Sequence, residues 1–181
     1  TTTQQRSAAA SDVYKRQLER NPNLPPEAVE DIIMGCGNPE GAQGHNVGRN
    51  AAVLSNLPIT TGGTTINRYC SSGMQSISMA ASQIMAGCYD TVIAGGAETI
   101  SMMQGKQNMD NFVNERLAEK SPGIYYPMGM TAEVVAKRYN VSREAQDEYA
   151  FESQMRTAAA QQAGAYDDEI IPMETKMLLM N

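Results

Sequence analysis

Apolar positions along this chain alternate between two spacings. Ile32, Ile33 and Met34 follow one another without a polar break, and Val29 stands just before them. Such a short continuous run predicts a buried strand. Gly35, Gly37 and Gly41 break it into a loop. Asn46 suits the N-cap of a helix, with Val47, Ala51, Val53 and Leu54 as its apolar face and Asn56-Leu57-Pro58 as its end. Thr64 to Tyr69 is rich in β-branched residues and predicts a second strand. Cys70-Ser71-Ser72-Gly73 forms a sharp turn. Met74, Ile77, Ala81, Ile84 and Met85 then recur at helical spacing over Gly73 to Ala86, and Gly87 stops that helix. Thr91 to Ala94 predicts a third strand buried on both faces, closed by Gly95-Gly96.

The flanks read differently. Thr1 to Ala10 is low in complexity, and residues 1–17 as a whole read as disordered or foreign to the fold. Pro25-Pro26-Glu27 marks a helix start. Ser101 to Gly129 is loop-rich, and a second helical region opens near Thr131. Ser142 to Ala163 predicts a long helix, capped by Ser142 and ended by Gly164. Tyr166 to Met173 predicts a returning strand. Strands alternating with helices define an α/β fold.

Composition narrows the function classes. Of 181 residues, 41% are hydrophobic and 19% charged, a balance that builds an ordinary core. The net charge is −6 with basic residues scattered, which argues against a nucleic-acid surface. No apolar run approaches the roughly 20 residues that cross a bilayer, and no secretory signal is visible. Cys36, Cys70 and Cys88 fit neither a disulfide framework nor a zinc spacing. Free thiols suit a reducing compartment. The cytoplasm is the expected location, or an organelle matrix if a targeting segment precedes these residues. The 13 methionines are soft packers that serve either as core filler or as the wall of an acyl pocket.

Cys70 is the candidate nucleophile. It stands where a strand hands over to a helix. The first N–H groups of a helix are unpaired, and with the dipole they stabilise negative charge. A thiolate attacking a thioester needs that support. Ser71, Ser72 and Gly73 keep the approach small. The local chemistry leaves a second reading open, that of a buried inert thiol.

The segment Asn67-Arg68-Tyr69-Cys70-Ser71-Ser72-Gly73-Met74-Gln75 resembles the acyl-enzyme cysteine segment of the thiolase family. Gly44-His45-Asn46-Val47-Gly48-Arg49 resembles that family's upstream segment. Ala94-Gly95-Gly96-Ala97-Glu98-Thr99-Ile100-Ser101 resembles its Gly-Gly-x-Glu segment. Met128-Gly129-Met130-Thr131-Ala132-Glu133 and Ser142 to Ala150 resemble its loop domain, and Tyr166 to Pro172 the strand leaving it. Matches in this order, from about Glu27 to about Met173, carry far more weight than one motif.

The resemblance implies a thiolase-like layered α-β-α-β-α core, of which this chain is the first half, with an inserted, mostly helical loop domain. The core half would take 18–104 and about 166–181, and the loop domain 105–165. The implied reaction is reversible thiolytic cleavage of 3-ketoacyl-CoA through an acyl-cysteine at Cys70. Acyl-CoA and CoA are the substrates, with no cofactor and no metal. The implied setting is β-oxidation in fatty acid metabolism, and the implied assembly a homodimer or homotetramer of the full-length parent. Met128 matches a loop position near the acyl group, and is expected close to Cys70. Pro127 before it leans toward broad-range degradative thiolases rather than acetoacetyl-specific ones.

The family's activating His and second Cys belong to a second half outside this chain, so the chain alone is expected to be inactive. His45, Cys36 and Cys88 match no catalytic position. Glu98 either supports the active-site loop or caps a turn. Arg49 either binds CoA phosphates or makes a structural ion pair. Glu144 to Glu148 reads as a solvated helix face. Two alternatives stand beside this reading: an acetoacetyl-CoA-forming biosynthetic thiolase or other condensing enzyme, and a non-catalytic acyl-CoA-binding or assembly module.

Overall fold

A computed structural model describes residues 14–172. Of the stretch 1–17 expected to be disordered or foreign to the fold, residues 1–13 lie outside the described residues, as does Met173 onward, whereas residues 14–17 are helical and Tyr14 is buried in the core. The described chain separates into two compact units, Asn108–Ile170 and the remainder.

The first unit is built on a parallel sheet of three strands in the order β2-β1-β3. They are β1 (Asp31–Gly35), β2 (Thr64–Ile66) and β3 (Val92–Gly96). Helices α1 (residues 14–20), α2 (Val47–Leu54), α3 (Ser72–Met85) and α4 (Ile100–Met103) accompany it. Pro26–Ala28 forms a single 3-10 turn rather than a longer helix. The chain steps from β1 to β2 in one direction and from β2 to β3 in the other. Right-handed crossovers therefore put α2 and α3 on opposite faces of the sheet.

Every residue of β1 is buried, as its unbroken apolar run requires. Ile32 and Met34 join Tyr14, Val47, Ala51, Ala52 and Ile93 in one core cluster. Gly35 faces α3, and a Cβ on it would meet the Ser72 carbonyl carbon at 2.3 Å. Two expectations need correcting. In β3 only Ile93 is buried, because its outer edge carries no neighbouring strand among the described residues. Val53 and Leu54 of α2 are exposed while Ala52 is fully buried, so small residues, not the largest, form its contact face.

The largest departure concerns α3. Its apolar stripe faces outward, with Met74 at 72% and Met85 at 88% exposure. The buried face is Ser72, Ser76 and Ala80, one small residue per turn. Ser76 Oγ donates to the carbonyls of Gly73 at 2.7 Å and Gly95 at 2.8 Å. Those bonds satisfy the hydroxyl that burial would otherwise penalise. Small side chains let the helix backbone lie directly on the glycine ends of β1 and β3.

In the second unit, α5 (Glu115–Lys120), α6 (Met128–Tyr139) and α7 (Arg143–Gln162) follow one another. Asn140, in the left-handed region at φ 52°, ends α6. Ser142 caps α7 by accepting the Ala145 N–H at 3.2 Å, and Gly164 follows its end at φ 70°. The returning strand expected from Tyr166 is not formed through Pro172. Residues 163–169 are turns instead, with the Tyr166 carbonyl accepting the N–H groups of Glu169 and Ile170. The apolar pair Ile170-Ile171 is thus read as strand by its β-branching, but finds no partner strand among the described residues. No helix of the described residues is long and apolar enough to cross a membrane.

Candidate active site

The strand expected over Thr64–Tyr69 stops at Ile66 because Asn67 turns the chain. Its Oδ1 accepts the Tyr69 N–H at 2.8 Å, an Asx turn that competes with further strand pairing. Tyr69 then enters the left-handed region at φ 47°. An aromatic residue there is a strained outlier of the kind that gathers at functional sites. Ser72 holds the bend from the far side. Its Oγ accepts the Arg68 N–H at 2.9 Å and donates to the Tyr69 carbonyl at 2.6 Å.

Cys70 follows Tyr69 directly and precedes Ser71, the N-cap of α3. It is a free, exposed thiol. The sequence reading left the first N–H groups of α3 open toward Cys70. In the structure the Ser71 and Ser72 N–H groups are bonded to the Arg68 and Tyr69 carbonyls at 3.1 and 3.0 Å. The elbow is therefore held by its own backbone, and those two donors brace it rather than face a ligand.

Cys70 opens onto a cleft of about 430 Å³. The cleft lies beyond the carboxyl ends of β1 and β3, where α/β sheets whose strand order reverses place their ligands. Gly35, Gly37, Gly73 and Gly96 form much of its lining, and Glu98 and Ile100 border it. With so few side chains on the floor, an extended substrate can approach the sulfur closely.

The other candidates take distinct places. Met128 opens α6 in the second unit and is 71% exposed. His45 is an exposed loop residue at φ 60°. Arg49 donates from Nη2 to the Ile59 carbonyl at 2.9 Å and from Nη1 to that of Thr61. It is structural, but through carbonyls rather than the expected ion pair. Cys36 is buried at the end of β1. Burial, reinforced by the neighbouring Glu98 carboxylate, pushes its thiol up. Cys36 therefore resists forming a thiolate. Cys88 is exposed, and residues 87–91 lie outside any helix or strand.

Sequence reasoning missed Gln43. This buried side chain bonds to Glu98, to the Asn38 carbonyl and to Thr99. Its only sequence signal is a glutamine among glycines, in a loop where a long amide can cross to another turn.

Fold and cleft together define an α/β protein that presents a cysteine on a strained elbow at the carboxyl edge of a parallel sheet. The model of the thiolase N-terminal domain matches residues 3–179, and the chain belongs to the thiolase family. It is 51% identical over 148 residues to a 3-ketoacyl-CoA thiolase of Bacillus subtilis (strain 168), covering 81% of this chain and 37% of that protein. It is 40% identical over 174 residues to an acetyl-CoA acetyltransferase of Chromobacterium violaceum, covering 89% and 43%. A beta-ketoadipyl-CoA thiolase of Escherichia coli is 40% identical over 176 residues, covering 88% and 43%. The chain thus spans 37% to 43% of the length of these relatives.

Proposed function

We propose that this chain supplies the acyl-accepting part of a 3-ketoacyl-CoA thiolase, with Cys70 as nucleophile. The observation that carries this reading is the exposed Cys70 thiol on a strained elbow, opening onto a glycine-lined cleft. In the proposed reaction the Cys70 sulfur bonds to the 3-keto carbon and the C2–C3 bond breaks. The departing fragment takes up a proton as acetyl-CoA, and the remaining acyl group stays on sulfur. The sulfur of CoA then attacks that thioester, releases acyl-CoA and returns the cysteine. Proton transfers in both steps fall to a base and an acid of the longer parent. Met128 is proposed to wall the acyl group. A homo-oligomeric parent in the cytoplasm, acting in fatty acid breakdown, completes the proposal. The names of the relatives support acyl-CoA substrates.

The test is mass analysis of the purified chain after incubation with acetoacetyl-CoA. The expected result is an acetyl group on the peptide holding Cys70, absent in Cys70→Ser. Turnover by the chain alone should lie several orders of magnitude below that of a parent carrying the remaining residues, since members of such a catalytic unit act together. Acylation confined to Cys36 or Cys88, or none at Cys70, overturns the reading. Robust turnover by the chain alone, abolished in Cys70→Ala, places the base among these residues instead.

A further inference from the structure

The Cys70 elbow, strained at Tyr69 and braced from within by Asn67, Ser72 and its own backbone, also packs on a neighbouring loop. Gly37 lies against the elbow, since a Cβ built on Gly37 sits 3.5 Å from both the carbonyl carbon and oxygen of Tyr69. The loop that carries Gly37 is in turn fixed by one carboxylate. Glu98 Oε2 accepts the Gly37 N–H at 2.6 Å, and Oε1 accepts from Gln43 Nε2. The Cys36 thiol approaches Oε1 at 3.9 Å. Gln43 Nε2 also donates to the Asn38 carbonyl at 2.7 Å. Gln43 Oε1 accepts both the N–H and the hydroxyl of Thr99, each at 2.7 Å. The turn after β3 and the loop after β1 are therefore locked by a carboxylate and an amide with every donor matched to an acceptor.

We infer that Glu98, through this clasp with Gln43, is a positioning residue that sets the Cys70 elbow for acyl transfer. Its role is not to cap its own turn. Both oxygens accept from the facing loop, and that loop packs on the peptide immediately before the nucleophile. A charged acceptor bonded to a backbone N–H is stronger than a neutral one, which suits a loop made mostly of glycine and small residues. When the clasp is lost, Gly37 is free to shift, the Tyr69 peptide relaxes, and Cys70 swings away from the line of attack. Access to the sulfur is unaffected, because Cys70 is already exposed.

This inference rests on Cys70 being the acyl acceptor, and the experiment separates the two. Acetylation of Cys70 by acetyl-CoA is followed across thioester concentrations: the new sulfur–carbonyl bond forms and CoA leaves as the thiolate. In parallel, iodoacetamide alkylation of Cys70 reports access alone. In Glu98→Ala the maximal acetylation rate should fall at least about tenfold, as small misplacements of a reacting group do. The half-saturating concentration and the alkylation rate should stay within about twofold of the parent, because neither depends on alignment. Gln43→Glu, which sets two carboxylates together, should also lower the maximal rate. The double variant Glu98→Gln with Gln43→Glu restores one donor opposite one acceptor but loses the donor to the Asn38 carbonyl, and should recover part of it. That recovery also serves if Glu98→Ala fails to fold. An acetylated parent with an undiminished maximal rate in Glu98→Ala overturns the positioning role. So does a folded double variant no better than the single ones. A parent not acetylated at Cys70 overturns the nucleophile reading itself, and this inference with it.

Discussion

Residues 14–107 and residues 108–170 obey the same local rules but differ in what those rules are connected to. Both contain capped helices with legible starts and ends. In the first unit, β1 is wholly buried and α2 and α3 lie against the sheet on small residues. In the second, no residue of α5, α6 or α7 is buried. The 20-residue α7 is sustained by its Ser142 cap and by exposed pairs such as Arg143–Asp147 and Glu152–Arg156. Such solvent-exposed pairs add little to stability. Caps and spacing thus define a helix, while small residues and glycines define a site. The cleft belongs to the region where backbone touches backbone.

The sharpest way to break this contrast is the same substitution in both regions. Gly35→Ala places a Cβ 2.3 Å from the Ser72 carbonyl carbon and 2.5 Å from its oxygen. Backbone sits on both sides of the collision, so neither partner can rotate away. The expected loss is about 3 kcal/mol in urea unfolding. Gly129, near the start of α6, has nothing within 4 Å of its Cβ position. Gly129→Ala should stabilise its helix by about 0.5–1 kcal/mol, because glycine loses more backbone freedom on folding. Effects of the same sign at both positions would mean that the close approach of β1 to α3 is not what holds the first unit.

That pair also shows where the sequence was informative. The buried run before Gly35, the Asn46 and Ser142 caps, and the Gly87 and Gly164 stops were all legible, because each rests on a residue's own backbone chemistry. The outward stripe of α3 was not. Met74, Ile77 and Met85 have helical spacing, but spacing cannot say which face meets the sheet. The row Ser72, Ser76, Ala80 carries that information, and it becomes decisive only beside glycine-ended strands. The elbow at Cys70 was legible as a turn, whereas its bracing by Asn67 and Ser72 depends on side-chain bonds made across the bend. Gln43 and Glu98 are 55 residues apart, and no local pattern links them. The return strand from Tyr166 failed for a related reason, since β-branching suggests a strand but only a neighbouring strand makes one.

Caps allow a finer comparison, because both regions use one and only one region ties it to a sheet. Asn46 Oδ1 accepts the Arg49 N–H at 3.0 Å and the Thr65 hydroxyl at 2.9 Å, and Nδ2 donates to the Gly63 carbonyl at 2.7 Å. It caps α2 and anchors β2 together. Ser142 Oγ accepts the Ala145 N–H at 3.2 Å, and its other bond is to Glu144 in the same first turn. Asn46→Ala should cost about 2 kcal/mol of global stability, and Ser142→Ala about 0.5–1 kcal/mol. The second loss should appear as faster hydrogen exchange in the first turn of α7, with little change in the unfolding of the sheet. Equal global effects would show the two regions unfolding as a single cooperative unit.

The core can also be probed from its rim, at Tyr14. This side chain is 3% exposed, and its hydroxyl donates to the Met34 sulfur at 2.9 Å. Burial pushes its phenol up from 10.0 to about 12. A thioether is a weak acceptor, and it offers the phenolate nothing. The sign follows from proton counting. Below pH 10 the phenol is neutral in both the folded and unfolded chain, so its contribution to stability is fully present. Between pH 10 and about 12 the unfolded chain releases the proton while the folded chain keeps it, and stability falls as pH rises. The slope approaches about 1.4 kcal/mol per pH unit within that window, so the loss at pH 11 is about 1 kcal/mol. Tyr14→Phe removes the titration and leaves the ring in place. The test is urea unfolding of parent and variant at pH 8 and pH 11, where other alkaline effects cancel in the difference. The parent should lose about 1 kcal/mol more than Tyr14→Phe on going to pH 11. An equal loss in both would place the Tyr14 hydroxyl in water, and with it the α1 end of a core that distinguishes the first unit from the second.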